Sequence, residues 1–394
     1  MPRVVIVGGG PAGVNAAQTL AKLLTPQDNV EVVLFEKSKY YYYAIGAPRA
    51  YVDPSFTDKL FVPYDNVIPK SAASFVKITR GLVTRVLPES NEIQYALIGA
   101  DDDTEAGPVK TMAFDYLIVA TGSTYTVPIN QPKNNFARAT TEAKLKEVQA
   151  QIQKADKILI VGGGPVGVEV AGDIKSKYPK KTVTIVEANQ KLVAGNNVRD
   201  KFRSKLTRYL KRLDIKVVLG ERLEERLTGN SYVKRTLRTD KGTSIESDIQ
   251  LLCAGFNPVV DTVAKFNPEL VNADGFIKVN DKLQFADPRY GHLFALGDAS
   301  SHATPKLGFW AGEQGKHVGA ELAAVLRKTQ SQVTKPFPKV EVEVLLVPLG
   351  PNGGVGQLPV LGGTVVGNVI TRMIKSKDMF VTKAWESFGA VAPH

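Results

Sequence analysis

The stretch Arg3–Gly13 reads RVVIVGGGPAG, and its reading decides the fold. Arg3–Val7 is a run of β-branched residues without polar alternation, the pattern of a strand buried on both faces of a parallel sheet. Gly8, Gly10 and Gly13 follow at GxGxxG spacing. A helical run continues to about Leu24, with Pro11 at its start. Each glycine meets a physical demand. Gly8 permits the tight turn, Gly10 the close approach of backbone to a pyrophosphate, and Gly13 the packing of helix on strand. Residues 30–36, VEVVLFE, form a second strand ending in Glu36, with Lys37 beside it. A carboxylate there accepts hydrogen bonds from ribose hydroxyls, and the helix start offers free N–H groups to phosphates. The alternative is a glycine turn that serves packing alone.

The pattern returns. Lys157–Val161 reads KILIV and is followed by Gly162, Gly163, Gly164, Pro165, Val166 and Gly167. The strand 182–187, TVTIVE, again ends in an acid, Glu187. Two such units predict two dinucleotide folds, one for a flavin dinucleotide and one for a nicotinamide dinucleotide. Glu187 favours NADH over NADPH, because a carboxylate binds a ribose 2′-OH and repels a 2′-phosphate. Neighbouring Lys191 softens that preference, and NADPH stays open. Glu169, early in the second helix, either complements the helix dipole or faces the nicotinamide.

Two further strands end in turns suited to a flavin. Phe114–Gly122 (FDYLIVATG) ends in Ala120, Thr121 and Gly122, and His292–Asp298 (HLFALGD) ends in Gly297 and Asp298. Asp298 is placed to hydrogen-bond a ribityl chain. After it, Thr304-Pro305-Lys306 opens a helical run to about Arg327, with Pro305 expected at the first helical position. That helix start, aided by Lys306, would stabilise negative charge at the pyrimidine edge of a reduced flavin. Lys306 as a plain surface lysine is the alternative.

GGGPAG, ATGS, GGGPVGVE and ALGDAS thus lie in order along nearly the whole chain. Together they resemble the two-dinucleotide-fold flavoprotein reductases. That resemblance implies an α/β fold of two Rossmann-like domains, for FAD and NAD(P), with a small α+β C-terminal domain. Thr304–Lys306, the tail Lys375–Val381 (KSKDMFV), Tyr40–Tyr51 and the GVGQ ending at Gln357 resemble the apoptosis-inducing-factor-like branch, which is similar in fold to type II NADH dehydrogenases. The resemblance implies bound FAD, NAD(P)H oxidation and quinone reduction at a membrane surface, with a lipid-antioxidant role among the outcomes. It puts Gly8, Gly10, Gly13, Glu36, Arg49, Val83, Thr121 and Asp298 on FAD. It puts Gly162, Gly164, Gly167, Glu169 and Gly255 on the nicotinamide cofactor, and Lys375 and Phe380 beside the quinone entrance. Hydride is expected to pass from NADH to the flavin, and two electrons from there to the quinone.

By these readings the flavin module covers 1–125 and 275–330, the nicotinamide module 140–255, and a third domain 331–394. Segment 101–111 reads as a charged hairpin or loop. In the third domain, Val340–Val347 suits a strand, Gly350–Gly363 a glycine-rich loop, and Thr364–Ile374 a helix with one apolar face. Arg372, Lys375 and Lys377 cap that helix. Two readings of this tail compete: packing against the flavin module or another copy, and an apolar, basic-rimmed surface resting on anionic lipid. Arg199–Lys216 reads as a basic amphipathic helix, either a solvated face or a dock for an acidic partner or nucleic acid. The tyrosines 40–43 line the quinone pocket or merely pack.

Composition sets the outer limits. The chain has 394 residues, enough for two or three domains, and its 43% hydrophobic and 23% charged content is ordinary for a globular protein. Cys253 is the single cysteine, which excludes a disulfide framework and the dithiol route of disulfide reductases. No metal site is expected. A net charge of +11 suits anionic ligands and surfaces, with nucleic-acid binding weak and non-specific at most. No membrane span and no secretory leader are expected, and residue 2 is proline, so neither is N-myristoylation. The expected location is cytoplasmic or peripheral on a membrane such as the mitochondrial surface or a lipid droplet, as monomer or homodimer. Rival acceptors are an acidic electron-transfer protein and monodehydroascorbate. A rival of another class is a nucleic-acid-binding, death-signalling flavoprotein.

Overall fold

The structure is a computed structural model and describes residues 1–99 and 107–393. Strand β1 (Arg3–Val7) leads into helix α1 (Pro11–Leu23) and strand β2 (Glu31–Glu36). Val4 and Ile6 enter the larger apolar core on one side of β1, and Val5 and Val7 enter a second core on the other. Burial on both faces is why this strand shows no polar alternation. Strands β3 (Val76–Leu87), β4 (Glu92–Leu97), β5 (Val109–Ala113) and β6 (Tyr116–Val119) join the same sheet. Of the expected hairpin or loop at 101–111, residues 101–106 lie outside the described residues, and β5 begins at Val109.

The second unit has helix α2 (Arg138–Lys154) in front of it, then strand β7 (Lys157–Val161), helix α3 (Pro165–Lys177) and strand β8 (Thr182–Glu187). Helix α4 (Asp200–Arg212) and strands β9 (Ile215–Leu219) and β10 (Ile249–Leu252) complete it. The four strands form a parallel sheet in the order β9-β8-β7-β10. The chain then returns: β11 (Leu293–Ala295) pairs in parallel with β6, giving the first sheet the order β11-β6-β1-β2-β3-β4-β5. Helix α5 (Gly308–Leu326) lies on α1. Three glycines make that contact close. A Cβ on Gly315 would sit 2.1 Å from the Ala12 carbonyl oxygen, and Gly312 and Gly319 meet Asn15 and Thr19.

The last segment differs most from its sequence reading. Strands β12 (Leu345–Pro348), β13 (Gly354–Leu358) and β14 (Thr364–Val366) form an antiparallel meander. The glycine-rich stretch therefore holds a strand, because Gly353, Gly354 and Gly356 let β13 run close beneath Asn368, the Val347 carbonyl and Val366. The apolar spacing at 364–374 does not make one helix. Thr364–Val366 is strand, Asn368–Thr371 a single α-turn, and Arg372–Ser376 a π-helical turn. The chain reverses through two consecutive left-handed residues, Met379 (φ 53°) and Phe380 (φ 59°), into a short helix, Val381–Ser387. Left-handed backbone at bulky residues costs about 1–2 kcal/mol each. Burial of Met379, Trp385 and Phe388 in the larger core offsets it. Helix α4 also stops earlier than the basic run suggested: Asp214 turns left-handed (φ 54°), and Ile215 begins a strand.

Candidate functional site

The two glycine turns have the same construction. Gly8 (φ 107°) and Gly162 (φ 116°) both lie in the left-handed region, where a side chain would also collide with Ala120 O or Cys253 O. A Cβ on Gly13 or Gly167 would lie 1.9 or 2.0 Å from the carbonyl oxygen of Gly8 or Gly162, so each helix presses on its own turn. Gly10 and Gly164, by contrast, face open space, with no atom within 4 Å of a built Cβ. Pro11 and Pro165 begin α1 and α3. Both cradles combine an open glycine face with unpaired helix N–H groups.

The acids close the cradles identically. Glu36 accepts the Gly9 N–H at 2.7 Å and Glu187 the Gly163 N–H at 2.6 Å. The second oxygen of Glu36 takes the Ser38 N–H, and that of Glu187 takes the backbone and side-chain amides of Asn189. Lys37 points to the Lys133 carbonyl and lies over the Phe136 ring; burial lowers its pKa against the pull of Glu36. The Val83 side chain is buried in the second core, on the sheet face away from α1.

Around the mouth of the first cradle, Ala120 N–H bonds the Val7 carbonyl, and the Thr121 hydroxyl bonds the Val259 carbonyl. Gly122 (φ 69°) receives the Val259 N–H, and Ser123–Thr124 pairs with Asn257–Pro258, tying the two units together. Gly255 (φ 62°) stands in open space after β10. Gly297 (φ 63°) donates its N–H to Gln314 on α5, and Asp298 accepts the Ser123 hydroxyl at 2.7 Å. Lys306 is neither a plain surface lysine nor a helix residue. Its ammonium donates to the carbonyls of Ser300 and His302, and burial lowers its pKa to about 8, with Asp298 opposing. Helix α5 starts at Gly308, so Pro305 lies before the first turn rather than in it.

Arg49, expected on FAD, has its guanidinium committed elsewhere. Nε donates to Asp173 at 2.5 Å and an Nη to the Ser376 carbonyl at 3.0 Å, all buried. One turn before Asp173 on α3, Glu169 accepts the Lys375 ammonium at 2.7 Å, and that ammonium also reaches the Leu346 carbonyl. Residues assigned separately to nicotinamide and quinone thus form one ion pair. Burial raises the Glu169 pKa, opposed by Lys375 and Arg49; burial raises that of Asp173 to about 6, opposed by Arg49. Asp173 and Ser123 were missed in the sequence. The spacing of Asp173 four residues after Glu169 was its only signal. Phe380 sits at the left-handed reversal with Lys383 over its ring.

The tyrosines divide. Tyr42 and Tyr43 donate their hydroxyls to the carbonyls of Pro128 and Met379, while Tyr41 stacks on Phe388 at 4.7 Å. Cys253 is buried, its thiol pushed up to about 12, so it is no nucleophile at neutral pH.

Residues 2–315 match the family described as pyridine nucleotide-disulphide oxidoreductase. The chain belongs to that family. Among curated relatives, ferroptosis suppressor protein 1 of Taeniopygia guttata is 30% identical over 399 residues, covering 99% of this chain and 97% of the relative. The human protein of that name is 29% identical, covering 99% and 96%. Apoptosis-inducing factor homolog B of Dictyostelium discoideum is 28% identical, covering 97% and 95%. Among solved structures, the sulfide:quinone oxidoreductase of Aquifex aeolicus matches with a TM-score of 0.76 over 100% of this chain and 93% of that one, at 15% identity. The water-forming NADH oxidase of Lactobacillus brevis, bound to NADH, matches with a TM-score of 0.65 over 91% and 75%, at 21% identity. The chain is an oxidoreductase of that family. The cradles fit FAD and a nicotinamide dinucleotide: each has an open glycine face, a helix N-terminus and an acid at the strand end where such folds hold a ribose.

Proposed function

We propose that the chain is an FAD-dependent NADH:quinone oxidoreductase that takes its quinone from a membrane surface. FAD, when bound, accepts a hydride from NADH and hands two electrons to an acceptor. Gly8, Gly10, Gly13 and Glu36 would hold its adenosine and pyrophosphate, and Asp298 its ribityl chain. Gly162, Gly164, Gly167, Glu187 and Gly255 would hold NADH.

The observation that carries the reading is the Glu169–Lys375 pair. It links the helix behind the second cradle to the tail that the resemblance puts beside the quinone entrance. Reducing a quinone to a quinol takes two electrons and two protons, so a proton-bearing group belongs near the acceptor. Lys375 Nζ, held by Glu169 Oε1 and the Leu346 carbonyl, is that group in this proposal. Lys306, at the other end, supplies positive charge beside Asp298. Phe380 would form an apolar wall of the acceptor site. Among the described residues no helix is long and apolar enough to cross a membrane. Contact with lipid would therefore be peripheral, through the tail.

Purified yellow protein tests the reading by NADH oxidation with and without a short-chain ubiquinone. A many-fold rise over the oxygen background supports it. Flavin bleaching by NADH with no effect of quinone would transfer the search to a protein acceptor or monodehydroascorbate.

A further inference from the structure

The two cradles differ in one bond. In the second, the Gly163 carbonyl accepts the backbone N–H of Val193, from the loop that follows β8, so the turn is closed by its own module. In the first, the matching Gly9 carbonyl accepts the Tyr64 hydroxyl at 2.8 Å. Burial, helped by the nearby Glu36 carboxylate, raises the Tyr64 pKa well above the usual tyrosine range, so the hydroxyl keeps its proton and donates. The Gly9–Gly10 peptide is trans, so fixing the Gly9 carbonyl on Tyr64 turns the Gly10 N–H the opposite way.

The loop that bears Tyr64 is gripped by the far end of the chain. The Trp385 indole N–H donates to the Lys59 carbonyl at 2.9 Å, ahead of Tyr64. Behind it, the Gln18 side-chain amide on α1 donates to the carbonyls of Val67 and Ser387, at 3.1 and 2.9 Å. Gly389 (φ 68°) ends this hook so close to Asn66 that a built Cβ would meet its carbonyl oxygen at 2.6 Å. Between these ties Phe388 lies flat on Tyr41, with centroids 4.7 Å and planes 7° apart, and leans on Tyr64 at 5.7 Å.

We propose that Trp385–Gly389 is a clasp for FAD: Phe388 holds the Tyr64 ring, and Tyr64 holds the Gly9–Gly10 peptide with its N–H free for the pyrophosphate. This rests on the reading that the first cradle takes FAD. Tyr64 and Phe388 are positioning residues, acting through the glycine turn. The tail therefore governs how tightly FAD is held, while the second cradle, closed by Val193, is independent of it.

Release of FAD from the purified holoprotein, followed by flavin fluorescence after dilution, tests the clasp. Tyr64→Phe keeps the ring and removes one hydrogen bond, and should speed release about three- to tenfold. Phe388→Leu keeps an apolar side chain and removes the stacking, and should speed it by a similar factor. Because Phe388 acts through Tyr64, the double variant should release FAD hardly faster than the quicker single one. Affinity for NAD+, by equilibrium dialysis, should stay at the wild-type value in all three. Wild-type release from both single variants overturns the proposal, as do effects that multiply in the double variant. An equal loss of NAD+ affinity also overturns it, since that marks a general loosening of the fold. Gly10→Asp tests the cradle itself, because its side chain has open space but its charge would repel a pyrophosphate. Retention of FAD by Gly10→Asp removes the reading of the first cradle and the clasp with it. Rapid release from Gly10→Asp alone removes only the clasp.

Discussion

At the scale of residues, the proposed NADH site puts the cofactor preference on Glu187. Its carboxylate is fixed by the Gly163 and Asn189 amides, and in that proposal it would accept from a ribose diol and repel a 2′-phosphate. Glu187→Ala should lower the NADH-over-NADPH ratio of kcat/KM about 10- to 100-fold, the worth of one charge-assisted hydrogen bond. An unchanged ratio would remove Glu187 from the ribose site. Lys306 gives a pH signature. Its folded pKa, about 8, is below the usual lysine value, so burial disfavours its charged form. As pH rises from about 8 to about 10.4 the folded amine is neutral while the unfolded one still binds a proton, and stability rises. Wild type should gain stability over Lys306→Met across that window in urea titrations; parallel curves would refute the placement. The two glycine turns and their acids, Glu36 and Glu187, were legible because glycine spacing and a strand-terminal acid are local patterns; the carbonyl cage of Lys306 was not. Arg49 with Asp173 was not, since nothing in the sequence joins positions 124 residues apart.

At the scale of elements, α1 and α5 are held backbone to backbone by Gly312, Gly315 and Gly319, a small-residue stripe visible in GEQGKHVG once the partner helix is known. Gly315→Ala must displace α5, and with it the Gln314 contact that sets the Gly297–Asp298 turn. The variant should lose FAD on dilution faster than wild type, measured by flavin fluorescence; equal retention would show that the turn is independent of the helix. The apolar strands β1 and β7 and the helices α1 and α3 that follow their glycine turns agreed with their sequence patterns closely. The stretch 364–376 did not, because strands of three residues and single turns are too short to show a period. Apolar residues at spacing four there serve an exposed surface rather than a buried helix face. Of the tail's apolar residues, Met379, Val381, Trp385 and Phe388 pack into the core, while Leu361, Val369, Ile370 and Met373 are exposed.

At the scale of the whole molecule, Arg49–Asp173 and Glu169–Lys375 fasten two separate stretches of chain to α3. Arg49→Leu leaves Asp173 a buried carboxylate without its cation, a loss of roughly 3–5 kcal/mol at neutral pH. The Asp173 pKa, already raised to about 6, should rise further in the variant. The contribution of a carboxylate with a raised folded pKa is present at low pH and fades as pH climbs through that value. The variant's deficit should therefore be larger at pH 8 than at pH 5 in urea unfolding, and Arg49→Leu with Asp173→Leu should recover most of it. A deficit equal at both pH values would show that Asp173 does not ionise in this range. The order of strands in the first sheet carries a different consequence, for synthesis. Strand β6 stands at an open edge until β11 leaves the ribosome some 175 residues later. At about 5–20 residues per second that is roughly 10–35 s, during which the second unit can fold around its own sheet while the first waits for its last strand. Nascent chains stalled before residue 293 should be cleaved by protease in the first unit and protected in the second.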